Sequence, residues 1–290
     1  MPNDGTQWTP NVSAANAQLI CTHRRSVADM ADETFSGRTA LVTGAGRGIG
    51  RAVALGLASA GADLALLARS GPELNEVAER GRARGVRVVV VPADLADPSA
   101  LRDAIEHVQN ECAAIDVLVN NAATVQPMGP TVDVDADEWA SAIAVNVVSP
   151  VTLTLALLPG MLERRWGRIV NVSAKAAVTP AQLIGGNAYT SSKAALEAHT
   201  LNLAAEVADT GVTVNAFRPG IVDTAIHDWV RSQPEERVGA AIRNQFVHFR
   251  DAGMLISPEQ SAAALLARLG GDATGQIWDV NDDNLTTLTP

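Results

Sequence analysis

The chain has 290 residues, 47% of them hydrophobic and 3% aromatic, which suits one large α/β domain or two small ones. Its 22 Lys and Arg residues against 32 Asp and Glu residues give a net charge of −10, so a polyanion such as DNA would be repelled and nucleic-acid binding is not expected. Cys21 and Cys112 lie far apart without metal-ligand spacing, which argues against disulfides and zinc and favours a reducing cytoplasm.

The first 36 residues are polar and lack a helical or strand period, so we interpret residues 1–36 as a flexible tail and residues 37–290 as the folded domain. Met30 is an alternative start, and an appended interaction arm is equally compatible with the pattern. The N-terminus has no hydrophobic stretch of the length that a secretory signal needs. No apolar run approaches the roughly 20 residues of a membrane span. We expect a soluble protein that is not exported.

From Gly37 onward, short β-branched runs alternate with Ala- and Leu-rich segments of helical length. This alternation is typical of repeated βαβ units. Longer helices are predicted at about residues 137–165 and 188–209. We count about seven strands without a linker, which predicts a single doubly wound α/β domain with a parallel sheet and helices on both faces. The predicted strands are TALVT, DLALLA, VRVVVVPADL, IDVLVN, RIVNVS, VTVNAF and QIWDV.

A glycine-rich turn, TGAGRGIG, joins the first strand to the first helix. Its spacing is GxxxGxG on Gly44, Gly48 and Gly50, with Arg47 and Ile49 between them. Glycines let the backbone approach a diphosphate, whose charge is favoured by the N–H groups and dipole of the helix start. The position after a first strand predicts dinucleotide binding, although a tight structural connection would show the same glycines.

The end of the second strand indicates which dinucleotide is preferred. A carboxylate there would hydrogen-bond the ribose of NAD, whereas an arginine suits the 2′-phosphate of NADP. The sequence has Ala68 and Arg69 at this place, and Arg47 in the glycine turn adds a second positive charge. We therefore expect NADP(H) as the cofactor.

The only tyrosine of the chain, Tyr189, precedes Lys193 by four residues in YTSSK. On a helix the two side chains share one face. A phenol has a pKa near 10, and a nearby ammonium is expected to lower it, so that Tyr189 can exchange a proton with a carbonyl or alcohol oxygen. Taken alone, this spacing also fits a partly buried ring beside an ordinary lysine.

Together, the glycine turn and the YxxxK motif resemble the short-chain dehydrogenase/reductase family, over about residues 37–280. The resemblance implies a Rossmann fold, Tyr189 as acid and base, and Lys193 bound to the nicotinamide ribose. NNAA, residues 120–123, resembles a cofactor segment of the family, with Ala123 replacing its usual glycine. Asn146 matches an asparagine that anchors a relay water. The remaining cofactor positions that the resemblance implies are Asp94, Leu95, Asn121, Pro219, Gly220 and Thr224.

The chain departs from the family at the catalytic serine. That serine is usually the second of an SS pair after the fifth strand, and here the pair reads Ser173 and Ala174. Either Ser173 takes the role, or another donor substitutes, or activity is low. Near the C-terminus Asn281-Asp282-Asp283 stands where the family often has DGG, which we expect to alter oligomer contacts.

We therefore expect an NADPH-dependent oxidoreductase that reduces a ketone or aldehyde, or oxidises a secondary alcohol. The alternative is a catalytically weak NADP-binding sensor or scaffold, which Ala174 suggests. The family commonly forms homodimers or homotetramers through its long helices, and we expect the same here.

Substrate choice is expected to lie in residues 221–256, which contain Trp229, Phe246 and Phe249. A 3-oxoacyl thioester on an acidic carrier protein is one candidate, because three arginines form a local basic patch. These are Arg164, Arg165 and Arg168, which equally fit the solvated end of a helix. The histidines of this segment, His227 and His248, lack ligand spacing, so no metal site is expected.

Overall fold

The computed structural model describes residues 34–282, and the fold is one seven-stranded parallel sheet. The strand order is β3-β2-β1-β4-β5-β6-β7, so the sheet winds outward in both directions from β1 and β4. The predicted fold class is confirmed. The strands are β1 (Thr39–Thr43), β2 (Asp63–Ala68), β3 (Val88–Pro92), β4 (Val117–Asn120), β5 (Gly167–Val172), β6 (Val212–Arg218) and β7 (Ile277–Asp279).

Helices cover both faces of the sheet. They are α1 (Gly48–Ser59), α2 (Gly71–Arg82), α3 (Pro98–Glu111), α4 (Ala136–Ile143), α5 (Ser149–Glu163), α6 (Asn187–Glu206), α7 (Ala225–Ser232), α8 (Glu235–Val238), α9 (Ala240–Asp251) and α10 (Pro258–Leu269). A π-helical turn, Ala144–Val148, separates α4 from α5, so the long helix predicted at residues 137–165 is interrupted in the middle.

Two apolar layers hold the sheet. Leu57 of α1 and Leu265 of α10 belong to the layer on one face, and Leu101 of α3 and Leu153 of α5 belong to the layer on the other. The strands are buried on both faces, which is why their sequences are continuous Val, Leu and Ala runs rather than alternating patterns. This arrangement brings the carboxyl ends of all strands to one edge, and the winding direction changes between β1 and β4, where open α/β sheets form a ligand crevice.

The predicted tail falls mainly outside the described residues, which begin at Thr34. Phe35 is buried in the same apolar layer as Leu57, and its N–H donates to the carbonyl of Ala60 at 3.3 Å. Ordered packing therefore starts before Gly37, the boundary that the sequence suggested.

The helical run Ala136–Glu163 is long and apolar enough, by length and composition alone, to cross a membrane. The expectation that no apolar run approaches the length of a membrane span is therefore wrong for this segment, by length and composition. Leu153, Leu157 and Met161 of this run are buried in the core against the sheet, which is the usual place of an apolar helix in a globular domain.

Candidate active site

The glycine turn between β1 and α1 is a backbone cradle. Gly44 and Gly48 have φ values of +64° and +54°, which other residues rarely adopt. A Cβ on Gly50 would lie 2.3 Å from the carbonyl oxygen of Gly44, so the first turn of α1 needs glycine for its close packing. No side chain caps the start of α1, and its first N–H groups are therefore free to bind a phosphate.

A cleft of about 1030 Å³ opens beside this cradle at the carboxyl edge of the sheet. Most of the residues that the sequence predicted for the site line it together, although they come from segments far apart in the chain. These are Gly44, Arg47, Gly48, Ile49, Arg69, Asp94, Leu95, Asn121, Ser173, Tyr189, Lys193, Pro219 and Thr224. Gly50, Asn146 and Gly220 are not part of the cleft wall.

One end of the cleft lies between the glycine turn and the start of α2. Arg47, Arg69 and Ser70 line it, and so does Glu73, which the sequence analysis did not consider. Glu73 lies in the first turn of a helix whose N-cap is Ser70. The sequence could have indicated this position, because a glutamate three residues after a serine N-cap and four residues after Arg69 is expected at the start of the helix beside the end of β2.

Tyr189 and Lys193 lie on α6 and both face the cleft. The Lys193 Nζ is 5.8 Å from the centre of the Tyr189 ring and donates a 2.7 Å hydrogen bond to the carbonyl of Val172. Burial raises the pKa of Tyr189 to about 12 and lowers the pKa of Lys193 to about 8. The expectation that the ammonium lowers the phenol pKa is wrong for this structure, because Lys193 bonds to a carbonyl and desolvation dominates at both groups.

Asn146 lies in the π-helical turn, behind the cleft wall. Its Oδ1 accepts from the N–H of Thr124, and its Nδ2 donates to the carbonyl of Thr124 and to the hydroxyl of Ser192. The side chain therefore fixes Thr124, which lines the cleft, against α6. Its role in a proton relay stays a prediction.

The hydroxyl of Ser173 follows β5 and belongs to a buried polar network. It donates at 2.7 Å to Oε1 of Glu197, whose carboxylate also accepts two 2.8 Å hydrogen bonds from Arg218. Glu197 lies one helical turn after Lys193, so the four-residue spacing of Tyr189, Lys193 and Glu197 on one helix was a signal that the sequence analysis missed.

The segment after β6 also contributes to the cleft wall. Gly220 has φ +81°, and the hydroxyl of Ser261 donates to the carbonyl of Pro219 at 3.0 Å. Thr224 lies against the glycine turn, since a Cβ on Gly48 would be 3.3 Å from its methyl group. Trp229 of α7 also lines the cleft.

A family profile described as short chain dehydrogenase matches residues 38–235. The chain belongs to the short-chain dehydrogenase family. It is 36% identical to the 3-oxoacyl-acyl-carrier-protein reductase FabG of Pseudomonas aeruginosa over 202 residues, which cover 70% of this chain and 79% of the relative. This short-chain dehydrogenase is therefore an oxidoreductase that acts on alcohol or carbonyl groups.

Two solved structures extend the comparison to the cofactor. L-Sorbose reductase from Gluconobacter frateurii, complexed with NADPH and L-sorbose, is 30% identical with a TM-score of 0.73 and covers 86% of this chain and 96% of its own. An NAD⁺-bound xylitol dehydrogenase is 28% identical with a TM-score of 0.75 and covers 84% and 98%. Structures similar to this dehydrogenase thus hold either dinucleotide.

The basic patch predicted as a carrier-docking surface is not at the cleft. Arg164 bonds to the carbonyl of Ile115, and Arg168 pairs with Asp272 at 2.8 Å with only 5% of its side chain exposed. Arg165 donates to the carbonyl of Asp209. The arginines lie where α5 ends and β5 begins, at the amino ends of the strands, so they do not line the cleft, and carrier docking stays a prediction.

The three aromatic residues of the segment predicted to choose the substrate pack in one apolar cluster, but they differ in whether they reach the cleft. Trp229 lines the cleft, whereas Phe246 and Phe249 of α9 pack around His227, with ring centres 4.7 and 6.5 Å from its own. Burial, followed by the charge of Arg231, lowers the pKa of His227 to about 4. His227 is thus a neutral packing residue at pH 7.

Proposed function

We propose that this dehydrogenase uses NADP(H) and reduces a ketone or aldehyde to the alcohol, with Tyr189 as the proton donor. The observation that carries the proposal is the joint placement of Tyr189, Lys193 and the glycine cradle around one cleft. A bound nicotinamide supplies the hydride to the carbonyl carbon or removes it in the reverse reaction. The phenol of Tyr189 then gives its proton to the carbonyl oxygen, which completes the alcohol.

The protonated state of the Tyr189 phenol is compatible with the reductive direction. At neutral pH the phenol is protonated, which is the form that donates, whereas alcohol oxidation needs a base that accepts a proton. Lys193 is buried, has a pKa near 8 and carries its Nζ 5.8 Å from the centre of the ring, so it would attract negative charge that develops on the phenol oxygen during transfer.

The chain fits a dinucleotide on structural grounds. The cradle at Gly44 and Gly50 has no room for a side chain, and the uncapped start of α1 offers N–H groups for the diphosphate. Arg47 and Arg69 at one end of the cleft support the 2′-phosphate of NADP. Pro219 and Thr224 would hold the nicotinamide end.

The test is consumption of NADPH and NADH with a panel of aldehydes, ketones, diketones and acyl thioesters, for the wild type and Tyr189→Phe. Turnover with NADPH that falls by at least about 10²-fold in the variant supports the proposal, since a positioned acid contributes about 10²–10⁴ in rate. Equal turnover in the variant would contradict the role of Tyr189. A thermal melt checks that the variant remains folded.

A second function is favoured by the hydrogen bond from Ser173 to Glu197 and by Ala174 in the place of the catalytic serine. Without the serine hydroxyl as a second donor to the substrate oxygen, the chain would bind NADP as a sensor or scaffold with weak catalysis. Tight NADPH binding with no turnover on any substrate, in either direction, would favour this function over the reductase.

We also propose that the protein is a homodimer or homotetramer that packs through α5 and α6. Leu155 of α5 and Leu201 of α6 are exposed apolar residues of these helices. Leu155→Glu should shift the mass in size-exclusion chromatography with light scattering toward the monomer. The exposed Met254, which lies outside these helices, provides the control Met254→Glu.

A further inference from the structure

Glu73 lies directly over the glycine turn. A Cβ on Gly46 would be 2.9 Å from the Cβ of Glu73 and 3.0 Å from its Oε2. Its Oε1 lies 3.8 Å from Nη1 of Arg47, so the two side chains form an ion pair across the cleft wall. Glu73 is 40% exposed and Arg47 62% exposed, which leaves both within reach of a ligand.

The charges at this end of the cleft oppose one another. An anion is attracted here by Arg47, by Arg69 and by the positive end of the α2 dipole. The N-cap of α2 is Ser70, which also lines the cleft. Glu73 places a negative charge among them and occupies Arg47. A phosphate that binds here has to break the ion pair between Arg47 and Glu73. It also lies close to the Glu73 carboxylate, and both the lost attraction and the repulsion between like charges weaken phosphate binding.

We propose that Glu73 is a specificity residue that restrains the preference for NADP(H), so that the site also accepts NAD(H). The inference rests on the dinucleotide site proposed above. NAD lacks the 2′-phosphate and does not meet this repulsion. A carboxylate is also the group that hydrogen-bonds the ribose in NAD sites, and the end of β2 has none. Glu73 supplies one from the first turn of α2.

The test is the dissociation constants of NADP⁺ and NAD⁺, measured by calorimetry without substrate. Glu73→Gln keeps the shape of the side chain and removes its charge. We expect NADP⁺ to bind about three- to tenfold more tightly and NAD⁺ to bind equally or more weakly, with the effect on NADP⁺ decreasing at high salt, because the pair is exposed and screened. Glu76→Gln, on an exposed position of the same helix, should leave the ratio of the two constants unchanged.

The proposal fails if Glu73→Gln and Glu76→Gln change the ratio equally, or if the ratio does not change. Glu73→Ala provides a second variant with the same expected direction should Glu73→Gln fold poorly in a thermal melt. A wild type that binds neither dinucleotide would overturn the proposed function and this inference together. A wild type that binds NAD⁺ more tightly would contradict only the NADP preference, since the ratio still reports the effect of Glu73.

Discussion

The hydroxyl of Ser173 donates a 2.7 Å hydrogen bond to Oε1 of Glu197, and both side chains are buried. The proton of Ser173 is therefore engaged by a carboxylate that Arg218 also holds. Of the three alternatives that the sequence left open for the missing serine, this geometry argues against Ser173 as the donor to the substrate oxygen.

Restoring a hydroxyl at Ala174 should increase activity. Ala174→Ser is expected to raise kcat/KM for carbonyl reduction at least about tenfold, because losing such a donor costs about 10²–10³ in rate. The measurement is initial rates with the best substrate of the panel. An unchanged rate would mean that a serine at this position does not reach the substrate.

Removing the hydroxyl of Ser173 should affect stability more than catalysis. Ser173→Ala is expected to lower the free energy of unfolding by about 1–2 kcal/mol, since it deletes a hydrogen bond to a buried charge. Its kcat/KM should change less than about tenfold. A collapse of activity with intact stability would instead identify Ser173 as the donor.

The ion pair of Glu197 and Arg218 should be essential for stability. Their side chains are 7% and 13% exposed, so Glu197→Leu leaves a buried cation without a partner and should cost about 3–5 kcal/mol in urea unfolding. Asp251→Asn removes one partner of the exposed Arg250–Asp251 pair and should cost under about 1 kcal/mol. Similar losses in the two variants would contradict this interpretation.

The pKa of Lys193 predicts that stability rises with pH. Burial lowers its pKa from 10.5 to about 8, so the unfolded chain binds this proton more strongly, and the resulting destabilisation disappears as pH rises from 8 toward 10.5. The wild type should gain about 2 kcal/mol relative to Lys193→Met between pH 7 and 9.5. Parallel pH profiles for the two proteins would rule out a lowered pKa.

The pKa of His227 predicts a loss of stability at acid pH, with the same sign of pH dependence as for Lys193. Its folded value of about 4 is below the ordinary 6.5, so its contribution is complete above pH 6.5 and is lost as pH falls toward 4. His227→Gln should reduce the acid sensitivity by about 2 kcal/mol at pH 4.5. The measurement is the free energy of unfolding of the wild type and the variant, from chemical denaturation at pH 7 and at pH 4.5. His248→Gln, a change in the neighbouring helix α9, provides the control.

The sheet could be predicted because the buried strands are short continuous apolar runs, most of them followed by a segment of helical length. The cradle was predictable for a similar reason, since Gly44, Gly48 and Gly50 are close in sequence. The network around Glu197 of α6 was harder to predict. Its partners are Ser173, which directly follows β5, and Arg218, which ends β6, and they meet only through the register of these two strands. The interruption at Asn146 was also missed, because the apolar pattern of α4 and α5 continues through the π-helical turn.

The pKa of Tyr189 shows what spacing cannot reveal. The four-residue interval places Lys193 on the same helix face, but the direction of the shift depends on where Nζ bonds and how deeply the ring is buried. Both are properties of packing around α6 and β5. The sequence therefore predicted that the two side chains lie together on one helix, and it predicted the wrong direction for the pKa shift of the phenol.

Because Phe35 is buried, an N-terminal truncation of this protein has to keep residue 35 if the fold is to stay stable. Expression from Gly37, the first residue of the regular pattern, would delete a ring that packs in the same core layer as Leu57 and Leu265. Removing a buried phenylalanine side chain typically costs about 3–5 kcal/mol, a large part of the stability of a domain. Expression from Met30 keeps the ring, and is the shorter version to crystallise.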